Sequence, residues 1–197
     1  MAKNVFHDLQ IKAFRAGVQP RTKESREWFY DKARRLRLNR ETVMKSDPLK
    51  KRSNYQQQLI GSMQMFTYDP KHKDTLPYYD NFPLVIVVGP AKDGFYGLNL
   101  HYLPPMLRMK FFAALTDIQT SGRGDDQKLR MTYDMLKKVE KLRFFKPCFK
   151  HYLAKHVKSN FAEVPMPEWE IAAFLPLADF KKASTQKIFA DSRKQVL

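Results

Sequence analysis

Three groups of residues in this chain have side chains of the type that does chemistry, and the largest group is cationic. Arg26, Lys32, Arg34, Arg35, Arg37 and Arg40 lie close together, and Lys50, Lys51 and Arg52 follow soon after. Lysine and arginine at this density suit phosphate contact: each one that meets a nucleic-acid backbone releases condensed counterions, and no base has to be read. An acidic protein surface would satisfy the same charges. Glu24, Glu27 and Asp31 are interspersed among the positives, so a solvated helix face, with ion pairs worth only about 0.3–0.5 kcal/mol each, explains the segment equally well.

The second group is Asp69, His72, Asp74 and Asp80, in the loop YDPKHKDTLPYYDNFP. Metal binding is the chemistry to weigh, but one histidine among carboxylates without a fixed spacing specifies no coordination shell. An aromatic loop that packs on its surroundings accounts better for the composition. Tyr78, Tyr79 and Phe82 are its anchors, and with Tyr96 they form the expected protein–protein interface. The third group is Cys148, His151 and His156. On a helix opened by Pro147 their spacings leave them off a common face, and neither an orienting group nor an oxyanion site is legible, so no catalytic residue is assigned. Gly122 and Gly124 lack the Gly-Lys-Ser/Thr that a phosphate loop requires. The carboxylates are too dispersed for a metal-dependent nuclease, and neither a metal nor a cofactor is expected.

A chain of 197 residues suits one domain with extensions. Its 36 Lys and Arg against 20 Asp and Glu give a formal charge of +16, which predicts a polyanion or an acidic subunit as partner. A single cysteine excludes an intramolecular disulfide and agrees with a reducing compartment. The polar N-terminus lacks a signal-peptide core, and no run approaches the roughly 20 apolar residues of a membrane span, so a soluble protein is expected.

The element best specified is the hairpin FPLVIVVGPAKDGFYGLNLHYLPP, residues 82 to 105. Leu84 to Val88 reads as a strand buried on both faces, Lys92-Asp93-Gly94 as the reversal, and Phe95 to Tyr102 as the partner strand. Around it the pattern predicts an N-terminal arm over 1–20 and a basic helix from Thr22 to about Leu36, with a linker that runs on to residue 58. A single α+β core follows over 59–182. Its strands are expected at about 60–68, 83–88, 95–102, 161–165 and 169–175, with a helical insertion at about 105–158. That insertion comprises a helix to about Ile118, another over about 127–142 and a third from Pro147. A tail helix over 183–197, capped by Ser184 or Thr185, closes the chain. The order suggests a small, strongly bent antiparallel sheet or a partly open SH3/OB-like barrel.

The segments MFTYDPKHKDTLPYYDNFPLVIVVGPAKDGFYGLNLHYLPP, FFKPCFKHYLAKHV and EWEIAAFLPLADFKKAS resemble a family of small basic virion proteins of T-even-type contractile-tailed bacteriophages, some of which are labelled DNA end protectors. The resemblance covers roughly residues 20 to 195. It implies a virion protein made in the host cytoplasm, and two roles follow. The first is a non-enzymatic building block of the tail, baseplate or neck, in contact with other virion subunits in a homo-oligomeric ring or other symmetric assembly. The second is a sequence-independent protein on double-stranded DNA ends that protects the packaged genome from exonucleases. The resemblance supplies no functional residues of its own.

Overall fold

The computed structural model describes residues 4–52, 59–120 and 143–194, together with 134, 135 and 138. Helices α1 (Val5–Arg15), α2 (Lys23–Ala33) and α3 (Arg40–Met44) come first. Strands β1 (Lys50–Arg52), β2 (Met63–Met65), β3 (Tyr79–Asp80), β4 (Leu84–Ala91) and β5 (Gly94–Asn99) follow. After them come α4 (Pro105–Thr120), β6 (Phe149–Leu153), β7 (Phe161–Val164), α5 (Trp169–Phe174), β8 (Phe180–Lys181) and α6 (Thr185–Lys194).

The expected hairpin is β4–β5. Leu84, Ile86 and Val88 pack into the main core while Val85 and Val87 pack into a second cluster, so both faces of β4 are covered. The register runs from Val85 opposite Asn99 to Ala91 opposite Gly94, with a bulge between Val87 and Gly89. Asp93 takes the left-handed conformation at the reversal, with φ of 61°. Gly94 answers a different need: a Cβ there would lie 1.8 Å from the Tyr152 carbonyl oxygen of the neighbouring strand.

Six strands form one sheet in the order β1-β7-β2-β4-β5-β6, and β3 pairs with β8 in a separate ribbon. The pairings are antiparallel. The sheet is open, with β1 and β6 at its edges, so the fold is α+β as expected but the SH3/OB-like barrel is not borne out. One face carries the helices, whose buried residues include Phe6, Phe29, Phe112, Ile171 and Ile188. The other carries an aromatic cluster of Phe66, Tyr68, Phe95, Tyr152 and Phe161, with ring centroids 5.0–6.3 Å apart.

Several elements differ from expectation. The segment after Pro147 is strand β6 rather than a helix, paired with β5 from Gly94–Leu153 to Leu98–Phe149. The helical insertion is therefore shorter than predicted, and its expected helix at about 127–142 lies largely outside the described residues. Conversely, 169–175 is helix α5, not a strand. A short apolar run fits either state; both flanks of β7 are taken by β1 and β2, so α5 instead covers the helical face, buried throughout. Of the expected strand at 60–68, Met63–Met65 forms β2 and Tyr68 makes an isolated antiparallel bridge to Val157, and the linker contributes α3 and β1. The N-terminal arm is mostly α1, capped by Asn4 and packed on the body through Val5, Phe6, Leu9 and Ala13. The basic helix starts on its predicted cap, Thr22, whose side chain accepts from Ser25 N. The tail helix α6 also begins where predicted, with Ser184 Oγ accepting from Lys187 N.

Two buried cations tie the helical layer together. Arg26 pairs with Glu170 at 3.0 Å, and Glu170 also accepts from Ser25 Oγ at 3.1 Å. Arg108 donates to the carbonyl oxygens of Leu103, Ala173 and His101 at 2.6, 2.7 and 3.1 Å. Burial pushes its guanidinium down to about 10. Removing one partner of a buried pair leaves the other charge uncompensated. Arg26→Met is therefore expected to cost about 3–5 kcal/mol in urea unfolding, and the double variant with Glu170→Leu to recover most of it. Full additivity of the two single substitutions would contradict this account.

Candidate nucleic-acid interface

The cationic residues singled out by sequence do not form one surface. Arg26 is 7% exposed and spent on Glu170, so it is withdrawn from solvent. Its position one turn into α2 places it on the face that meets α5. Arg40 is an anchor: its Nε and Nη2 each donate at 2.8 Å, to the carbonyl oxygens of Leu177 and Ala178. Lys32, Arg34, Arg35 and Arg37 are exposed around the C-terminal end of α2. Asp31 accepts from Arg34 at 2.8 Å and from Arg35 at 3.0 Å, and these hydrogen bonds hold the Asp31 carboxyl below its ordinary range. Lys50 and Lys51 are exposed on edge strand β1, and the Arg52 backbone continues that strand opposite Phe161.

A groove of about 580 Å³ gathers part of this charge. Lys45, Lys51 and Lys158 line it, together with the anchored Arg40 and the carboxylates of Glu41 and Asp179. Among the described residues no carboxylate lies within ion-pair distance of Lys45, Lys51 or Lys158, which leaves three free cations beside one cleft. Lys45 belongs to the basic segment that the sequence shows, whereas Lys158 did not stand out there; the β1–β7 pairing brings the two stretches of chain together.

On the other side of the ridge made by residues 67–68 and 80–82 lies a second cavity, of about 470 Å³. Tyr68, Tyr78, Tyr79, Tyr102 and Tyr152 contribute to its walls. Lys150, half-buried, holds its Nζ 4.2 Å above the Tyr102 ring. Burial pushes this ammonium below the ordinary lysine range. The outer wall is the 70–76 loop, which Lys182 clamps by donating to the carbonyl oxygens of Lys73, Asp74 and Leu76. At the floor the buried Asp80 accepts from Phe82 N and Asp179 N on Oδ1, each at 3.0 Å. Its Oδ2 accepts from Asn99 Nδ2 at 3.1 Å and lies 2.7 Å from His101 Nδ1. Burial alone would raise its carboxyl, but attraction to His101 and the donated hydrogen bonds outweigh that and hold it below its usual range.

The family model of the phage T4 terminal DNA protecting protein matches residues 3–195. The chain belongs to that family. No curated protein and no solved structure gives a match. Membership in a family of terminal DNA protecting proteins favours the DNA-end expectation over that of a tail, baseplate or neck component. It also extends the resemblance to α1, which the roughly 20–195 span had left out.

Tyr78 and Tyr79 are half-buried on the cavity wall, and Phe82 is 4% exposed and part of the core, so only Tyr96, 48% exposed, presents a large free face. Tyr96 leans on His151, with ring centroids 5.2 Å apart. His151 and His156 are held by the carbonyl oxygens of Lys92 and Asp69 respectively. Burial pushes the Cys148 thiol up to about 12, opposite to what a nucleophile requires. Of the four residues weighed as metal ligands, Asp69 is paired with Lys73 at 3.0 Å and Asp80 is saturated by its own donors. Sequence reasoning missed Asn99, His101 and Lys150. Two were hidden in the hairpin's return strand, and Lys150 sits in a segment whose period was read as helical.

Because the Asp80 pKa is depressed on folding, its contribution to stability is complete above the unfolded carboxylate value of about 4 and is lost as pH falls through the lower folded value. Asp80→Asn is expected to lose about 1–3 kcal/mol at pH 7. Its unfolding free energy should then fall less steeply than that of the wild type between pH 4 and pH 2. Parallel acid limbs in urea titrations of the two proteins would contradict this assignment.

Proposed function

We propose that this chain binds the ends of linear double-stranded DNA without sequence preference and shields them from exonucleases, by occupancy rather than catalysis, and that it travels with the genome in the virion. The observation that carries the reading is membership in the terminal DNA protecting family over residues 3–195, in a chain of net charge +16. The free ammonium groups of Lys45, Lys51 and Lys158 beside one groove give phosphates a place to bind. Arg34, Arg35 and Arg37 supply a second positive surface at the end of α2. Contacts of this kind fix a protein on the backbone and carry no base information, as suits a protein that must accept any terminus. Of the two carboxylates on the groove among the described residues, Asp179 is engaged by Arg40 and Lys181, and Glu41 is the acidic side chain that a bound phosphate has to avoid.

On this reading, affinity for a linear duplex falls linearly with log salt. Lys51→Glu and Lys158→Glu each weaken binding similarly for unrelated sequences, and each reduces the magnitude of the salt slope by about 1. The protein protects a linear duplex from digestion by an exonuclease, and the double variant loses that protection as salt rises. Absence of linear-duplex binding at low salt, or equal digestion with and without the protein, would sink the proposal. Charge reversal at Arg34, Arg35 and Arg37 measures whether the α2 surface shares the contact.

A further inference from the structure

The cavity behind the 70–76 loop differs from the phosphate groove in what it can hold. Its walls include the half-buried rings of Tyr78 and Tyr79 beside the more deeply buried Tyr68, Tyr102 and Tyr152, its cation is the half-buried Lys150, and its volume of about 470 Å³ falls in the range of small-ligand sites. A duplex does not fit in such a space; a single nucleotide does. Its one acidic side chain, Asp80, has both oxygens filled by four internal donors and does not oppose an incoming anion with a free lone pair. Among the described residues Lys150 has no carboxylate partner, and its ammonium rests only on the Tyr102 ring. Lys71, His72 and His151 add basic groups at the rim. Aromatic faces beside an unpaired cation match a ligand with a flat π-system and an attached phosphate.

We infer that this cavity receives the terminal nucleotide of a DNA strand, its base against the tyrosine rings and its phosphate against Lys150. The inference rests on the reading that the protein binds DNA ends, and it supplies what the groove lacks, a means of telling an end from the middle of a duplex. An internal base must be unstacked and unpaired on both sides before it can leave the helix, whereas a terminal base frays at small cost. Base–aromatic stacking is tolerant of sequence because every base has a π-face. The two cavities share a ridge: Thr67 lines the groove and Tyr68 the pocket, and likewise Asn81 and Asp80. A strand could thus keep its phosphates in one while its last nucleotide enters the other. The Lys182 clamp and the Asp80 hydrogen bonds hold the walls in place before any ligand arrives.

The test uses the full chain with duplexes carrying 2-aminopurine at the terminal or at a central position. Binding is expected to change the emission of the terminal probe and leave the central one unaltered. Lys150→Met and Tyr79→Ala are each expected to weaken binding to a linear duplex about tenfold or more while leaving affinity for a covalently closed circle unchanged. Thermal melts confirm that each variant is folded. If linear duplex is bound with end preference but the terminal probe does not respond, or if Lys150→Met weakens open and closed DNA alike, the pocket inference is overturned and the end-binding reading stands. If linear duplex is not bound at all, the end-binding reading fails. Titration with deoxyadenosine 5′-monophosphate then decides the pocket. Binding by the wild type, weakened about tenfold in Lys150→Met, supports it, and no binding by the wild type overturns it.

Discussion

The carboxylate of Asp80 is the interaction on which this molecule is most dependent. It lies where three stretches of chain meet: the loop that leads into β4, the end of β5 and the segment before β8. From them it collects Phe82 N, Asn99 Nδ2, the His101 ring and Asp179 N. A buried carboxylate without such partners would cost more than a small domain can spare, so these segments must close together around it. Asn99 passes the constraint on by donating to Tyr152 Oη at 3.1 Å as well. Sheet, ribbon and aromatic cluster are thereby joined through one charged group.

That junction also decides how the two faces of the sheet are used. The helical face is closed by α1, α2, α4, α5 and α6 and is bound by apolar burial, with Arg26–Glu170 and Arg108 satisfying polar groups inside it. Among the described residues the aromatic cluster on the other face takes no side chain from an α-helix. Tyrosines from that face, from β3 and from the turn after β5 surround open space instead, and Lys182 pins the loop that bounds it. Tyrosine suits such a place because its ring packs while its hydroxyl finds a partner, as Tyr68 Oη does in accepting from Leu153 N at 3.1 Å.

The positive charge is likewise sorted by the fold. Cations near an available carboxylate are partly neutralised: Arg26 is buried on Glu170 and becomes structural, while Arg34 and Arg35 share Asp31 and Lys73 pairs with Asp69 at the surface. Those left without one among the described residues include Lys45, Lys51 and Lys158 on one side of the 67–68 ridge and Lys150 on the other. A net charge of +16 therefore says that a polyanion is a suitable partner, while the pairing pattern determines which residues are free to meet it.

By itself the sequence determined the elements that local chemistry dictates. The β4–β5 hairpin, the Thr22 cap of α2, the start of α6 and the presence of helix α4 follow from apolar period, turn residues and capping side chains, which act over a few residues. Family membership was also legible there, in the hairpin and its flanks. Tertiary structure decided whatever depended on distant partners. Residues 149–153 became a strand because β5 offered an edge, and 169–174 became a helix because both flanks of β7 were occupied. Arg26 was removed from the basic face by a glutamate 144 residues away. Lys150 was aimed at a tyrosine ring, and Asp80, which reads as one loop carboxylate among several, became the centre of the fold. In each case the same side chain has several satisfactory states, and burial against a particular partner selects one.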